Sequence, residues 1–231
     1  MTEIIPAILE ESFEKLRESI GRVVNVASVV QIDVCDGKFV STMSWPIGSE
    51  NKHSVEAILN EEEGLPYWDS IDFEFDLMVI NAHEQFDFFV RLGAKRIIFH
   101  IEAEKDINKF KEFLEAIDMY TRENLQIGVA INTTTPIESL DKIISNVDFV
   151  QCMGIEHIGQ QGEPFDERVI NQIKELRKKY RELTISVDGS VNEHTAPLLV
   201  KAGADRLIIG SALMNSYDIR ETMRDFEDLT N

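Results

Sequence analysis

The chain has 231 residues, 43% of them hydrophobic and 28% charged, which is enough for one large folded α/β domain spanning 1–231 and short for two ordinary ones. A net charge of −19 repels phosphate backbones and anionic lipid. Nucleic acid and membrane surfaces are therefore not expected partners, whereas a small anion held by local backbone N–H groups is still allowed. The two cysteines, Cys35 and Cys152, sit in apolar runs without a CxxC partner or a His/Cys cluster, which argues against a disulfide framework or a structural zinc site.

In chain order, short β-rich runs alternate with longer amphipathic stretches. Strands are predicted over Ile4–Leu9, Val29–Val34, Ile71–Val79, Arg96–Glu102, Gln126–Asn132, Phe149–Ile155, Thr184–Val187 and Arg206–Gly210. Most are almost continuously apolar, as strands covered on both faces must be. Helical spacing appears over Glu11–Gly21, Ile107–Arg122 and Val169–Tyr180. Asn192 suits a helix start with Glu193 just inside, and Gly93 and Gly203 suit helix ends directly before strands. About eight β–α units point to a single-domain α/β fold, a (β/α)8 TIM barrel. The rival is a doubly wound open sheet. It usually has a glycine-rich turn after its first strand, and here Leu9-Glu10-Glu11-Ser12 follows instead.

No basic segment precedes an apolar one at Met1-Thr2-Glu3-Ile4, and no apolar run approaches a membrane span in length. A cytoplasmic location is the resulting expectation. Trp45 and Trp68 are predicted in loops, covering the barrel or facing another subunit, and a homo-oligomer is expected. The segment Asn60–Trp68, with three consecutive glutamates, reads as solvent-facing.

In a barrel the site forms at the carboxyl ends of the strands. Polar residues there are Gln31, Asp33 and Asp36 on the second strand, Asp76 on the third, His100 and Glu102 on the fourth, and Asp188-Gly189-Ser190 on the seventh. Strand alternation puts Gln31, Asp33 and Cys35 on one face, and Asp76 and Met78 on one face of the next strand. If those faces point inward, Asp33, Asp76 and Asp188 converge at the mouth. His100 and Glu102 are expected to form a structural hydrogen-bonded couple. Glycines after strands seven and eight, at Gly189-Ser190 and Gly210-Ser211, stand where such barrels hold phosphate.

The segments "IIPAIL", "VQIDVCDGKFV", "FDLMV", "IIFHIEA", "GVAINTTTP", "DFVQCMGI", "ISVDGSVN" and "GADRLIIGSAL" occur in order along nearly the whole chain. Together they resemble the ribulose-phosphate 3-epimerase family. The resemblance implies epimerisation of a ketose phosphate, with Asp33 and Asp188 as the acid/base pair and phosphate at Gly189, Ser190, Gly210 and Ser211. It implies a substrate pocket with Ala7, Cys35, Met78, Met153 and Gly162. It also implies a divalent metal on two histidines and two aspartates. The aspartates match Asp33 and Asp188, but the histidine positions hold Gln31 and Asp76. A metal site of Asp33, Asp76, Asp188 and Gln31 is therefore the candidate, for Mg, Mn, Zn or Fe, with a metal-free site as the other possibility. The oxygen-only set favours the harder cations over zinc. Ala7 replaces a substrate-contacting serine, Ser190 replaces a glycine, and the loop "GIEHIGQQGEPF" departs from the family pattern.

Two rivals stand beside the epimerase. One is a phosphosugar-binding barrel that has lost catalysis. The other is a lyase or synthase of the same superfamily. Such relatives usually carry a lysine between two aspartates at a strand end, and Asp33-Val34-Cys35-Asp36 has none.

Overall fold

The computed structural model describes residues 2–160 and 162–230. Its eight strands are β1 (Glu3–Ile8), β2 (Val29–Cys35), β3 (Asp72–Met78), β4 (Ala94–His100), β5 (Gln126–Ile131), β6 (Phe149–Met153), β7 (Thr184–Asp188) and β8 (Arg206–Ile209). Every neighbouring pair is parallel, and β8 pairs back onto β1, from Glu3↔Arg206 to Pro6↔Ile209. That closure makes a (β/α)8 TIM barrel and excludes the open doubly wound sheet.

The helices run α1 (Phe13–Val23), α2 (Lys52–Leu59), α3 (Phe86–Arg91), α4 (Ile107–Ala116), α5 (Met119–Asn124), α6 (Arg168–Lys179), α7 (Ala196–Ala202), α8 (Ser211–Met214) and α9 (Ile219–Thr230). Side chains capture their first N–H groups where the sequence supplies an acceptor. Asp106 accepts from Asn108 N and Lys109 N at α4, and Ser12 accepts from Lys15 N at α1. Gly203 ends α7 at φ +119°, in the left-handed region that glycine enters without penalty.

Two local expectations change. The helix predicted over Ile107–Arg122 is two helices, because Ile117 turns extended and Asp118 takes the Thr121 N–H at 3.0 Å to start α5. Asn192 does not begin a helix. Its Oδ1 accepts from His194 N and Thr195 N in a turn, and α7 starts at Ala196. Between β5 and β6 the chain makes only 3-10 turns, at Ile137–Leu140 and Ile144–Asn146.

The main apolar core lies between barrel and helices. Phe75 meets Phe89 at 5.7 Å between ring centroids, and Phe99 meets Phe110 at 5.4 Å. Trp45 belongs here too. It is buried against Phe13, whereas Trp68 is 69% exposed. The barrel interior is different. Gln31, Glu74, Asp76, His100, Gln151 and Ser186 are all polar, and all are 0% exposed. At the floor, Arg96 reaches Glu3 at 3.1 Å and Glu74 at 3.5 Å, and Arg206 reaches Glu3 at 2.9 Å. Burial pushes the Glu74 carboxyl up to about 7, against the pull of Arg96 and Arg206. The floor is thus an ionic plug, and the mouth is left for chemistry.

Candidate active site

The register of the barrel decides which polar residues meet. Asp33 on β2 lies opposite Asp76 on β3, and Asp188 on β7 lies opposite Met153 on β6 and Ile208 on β8. The three aspartates each bring an oxygen within 4.8 Å of the others'. Below them Gln31 donates from Nε2 to Asp33 Oδ1 at 2.8 Å and to Asp188 Oδ2 at 2.9 Å. In this orientation the amide presents hydrogens, not a lone pair, to the carboxylates, and its Oε1 is buried without a partner among the described residues.

Asp76 is held from the other side. His100 Nε2 lies 3.0 Å from Asp76 Oδ1, and both side chains are fully buried. Asp76 Oδ2 has no hydrogen-bond partner among the described residues. The expected couple between His100 and Glu102 does not form. Glu102 has left the strand for a 3-10 turn, Ile101–Ala103, and accepts from Asn132 N and Thr135 Oγ1. Strand alternation explains the error: the turn ends the pleat at His100, so only the histidine points inward.

Three acidic groups this close cannot all be charged at no cost. Burial raises the Asp33 carboxyl well above the usual carboxylate range, and the Asp188 and Asp76 carboxylates raise it further. Burial, followed by Asp76, lifts Asp188 to about 7. For His100, burial works downward, but the adjoining Asp76 carboxylate outweighs it and the imidazole is shifted up. The residues fit a hard dication. Three carboxylates converge, they repel one another without positive charge, and Asp76 keeps one buried oxygen unpartnered.

Above this group lies a cavity of about 80 Å³ lined by Asp33 and Asp188, by Ala7, Met78 and Met153, and by Gly162. Gly189, Ser190, Gly210 and Ser211 line the same cavity. Cys35 does not. It is buried beneath with Val40 and Met78, and burial pushes its thiol far up, which makes it a poor nucleophile. Ser190 stands at φ +51°, and its hydroxyl donates to the Glu163 carbonyl. Gly189 stands at φ +104°, and a Cβ there would meet Ile155 at 2.8 Å. Both features fold the loop after β7 tightly under the loop after β6. That second loop crosses the mouth, where Thr42 Oγ1 donates to Gly159 O at 2.6 Å. It also brings Gln160 and Glu163 into the lining, two residues that carry no sequence signal because an irregular loop has no period. A wider groove of about 640 Å³ lies at the opposite end of β3 and β4, by Trp68 and Tyr120, and among the described residues no such carboxylate group converges there.

The sequence matches the ribulose-phosphate 3 epimerase family over residues 3–214. The chain belongs to that family. Among curated relatives, the ribulose-phosphate 3-epimerase of Eremothecium gossypii is 29% identical, over 97% of this chain and 91% of its own. That of Bacillus subtilis is 28% identical, over 96% and 97%, and that of Methanocaldococcus jannaschii 29%, over 99% and 91%. Among solved structures, the 3-keto-L-gulonate-6-phosphate decarboxylase of Vibrio cholerae superposes with a TM-score of 0.70 at 11% identity, over 100% of this chain and 98% of its own. The 3-hexulose-6-phosphate synthase of Salmonella typhimurium gives 0.67 at 16%, over 100% and 98%. At such identities these two share the barrel alone. Family membership places the chain among epimerases of carbohydrate phosphates. No helix among the described residues is long and apolar enough to cross a membrane.

Proposed function

We propose that this protein epimerises the carbon beside the ketone of a ketose phosphate, interconverting D-ribulose 5-phosphate and D-xylulose 5-phosphate or a close relative. The observation that carries this reading is the pair Asp33 and Asp188, braced by one amide and facing one cavity with the glycine turns after β7 and β8.

Epimerisation removes a proton from one face of the carbon and returns one to the other. A carboxylate on each face of a planar enediolate meets that need. The raised affinity of Asp33 and Asp188 for protons suits one being protonated while the other is ionised near neutral pH. Which acts as base depends on the epimer bound, and the roles exchange in the reverse direction. A divalent cation held by Asp33, Asp76 and Asp188 would supply positive charge to the developing oxyanion. Met78, Met153 and Ala7 give the reacting carbon an apolar wall that keeps water off. The phosphate is assigned to Gly189, Ser190, Gly210 and Ser211, whose backbone approaches the cavity closely.

Conversion is read by carbon NMR of D-ribulose 5-phosphate incubated with the protein and Mn²⁺ or Mg²⁺. Growth of D-xylulose 5-phosphate signals supports the reading. Saturable ketose phosphate binding without conversion would instead identify a binding barrel that has lost catalysis.

A further inference from the structure

We propose that Gln31 sets which cation this site takes: it ties Asp33 to Asp188 as a hydrogen-bond donor, is not itself a ligand, and leaves an oxygen-only set of three carboxylates suited to Mn²⁺ or Mg²⁺. The inference rests on reading Asp33, Asp76 and Asp188 as a cation site.

Three observations carry it. Gln31 is completely buried, and its one Nε2 serves both carboxylates, at 2.8 and 2.9 Å. An amide has two hydrogens on that nitrogen, so both are used and the pair is held at fixed spacing. Turning the amide over would set Oε1 against two carboxylate oxygens. Second, the nearby imidazole lies one shell out. His100 Nε2 is spent on Asp76 Oδ1, which orients that carboxylate and leaves Oδ2 as the buried, unpartnered oxygen. Third, Cys35 is packed outside the cavity lining, so no thiolate joins the group; the sulfurs that line it are the neutral thioethers of Met78 and Met153. Zinc binding draws on nitrogen and sulfur donors, whereas carboxylate oxygens suit the harder dications.

The full-length protein loaded with Mn²⁺ tests this by pulsed electron paramagnetic resonance, independently of turnover. The expected spectrum shows one bound Mn²⁺ with no directly coordinated nitrogen. In Gln31→Leu the number of metal-bound waters, counted by deuterium modulation in D₂O, stays the same, because no ligand has been lost. Gln31→His introduces directly bound nitrogen and raises Zn²⁺ affinity relative to Mn²⁺ by about tenfold or more. Failure of Mn²⁺ to bind would overturn the proposal. So would an extra bound water in Gln31→Leu, which marks a lost ligand, or nitrogen coupling in the unaltered protein that disappears in His100→Gln. The unaltered protein's spectrum tests the nitrogen-free ligand set even if a variant fails to fold. Ketose phosphate conversion, measured separately, distinguishes failure of the catalytic reading from failure of this one: metal bound as described with no conversion sinks only the former.

Discussion

His100 on β4 and Asp76 on β3 meet inside the barrel, Nε2 to Oδ1 at 3.0 Å, with neither side chain reaching solvent. Removing one member of such a pair strands the other in low dielectric. His100→Leu is expected to cost about 3 kcal/mol or more in urea unfolding. The double variant Asp76→Leu, His100→Leu should recover part of that loss. A single-variant loss below about 1 kcal/mol would mean the pair is not desolvated as described.

Stability should also depend on pH in a defined direction. Asp188 binds its proton with a pKa of about 7 in the folded chain against an ordinary 3.8. Between those values the native state holds more protons than the unfolded one, so stability falls as pH rises through the window. Asp33 and Glu74, both shifted up, act in the same sense. Without metal, the thermal midpoint at pH 7.5 is expected to lie below that at pH 5. The Asp188 contribution is on the order of 2 kcal/mol. Asp188→Asn should flatten the slope, and Mn²⁺ should reduce it by binding the ionised carboxylates. A midpoint that rises from pH 5 to 7.5 would contradict the assignment.

Catalysis should separate from binding at the same residue. Asp188→Asn keeps size and shape but cannot exchange a proton as a carboxylate does. Turnover is expected to fall by about 10²- to 10⁴-fold, with inorganic phosphate binding little changed when followed by calorimetry. Full exchange activity in this variant would sink the two-carboxylate mechanism.

A fourth expectation concerns the glycine turns. A Cβ on Gly154 would lie 2.2 Å from the Gly189 carbonyl oxygen, and Gly154 N donates to Asp188 O at 2.6 Å. Backbone cannot yield as a flexible side chain does. Gly154→Ala should cost about 2 kcal/mol and raise KM by displacing Gly189 and Ser190. Unchanged stability and KM together would show that the β6 and β7 ends are looser than they stand.

Much of this was legible in the sequence, for identifiable reasons. Strands covered by helices are apolar on their outer face, so all eight show as largely apolar runs such as Val29–Val34, interrupted where a residue points into the barrel, as at Gln31 and Asp33. Asp33 and Asp188 stand out because a charge within such a run needs a partner or a ligand. What the sequence hid was register. Nothing local says that His100 faces Asp76 across a strand pair and not Glu102 two residues on, or that one Gln31 amide spans β2 and β7. Nor does periodicity show the break at Asp118, whose side chain accepts from the Thr121 N–H and hydroxyl and starts a new helix within a helical pattern that runs on through it. Cys35 shares the inward face with Asp33, yet the loop carrying Val40 covers it.

The most direct test of the central claim is solvent exchange at the reacting carbon. D-ribulose 5-phosphate and, separately, D-xylulose 5-phosphate are incubated with metal-loaded protein in D₂O and followed by proton NMR. Asp33 and Asp188 working on opposite faces predict loss of the C3 proton from either starting epimer, with deuterium at C3 of the product. Conversion with the original proton retained at C3 would contradict the enediolate route, and no exchange from either epimer would contradict the proposed substrate.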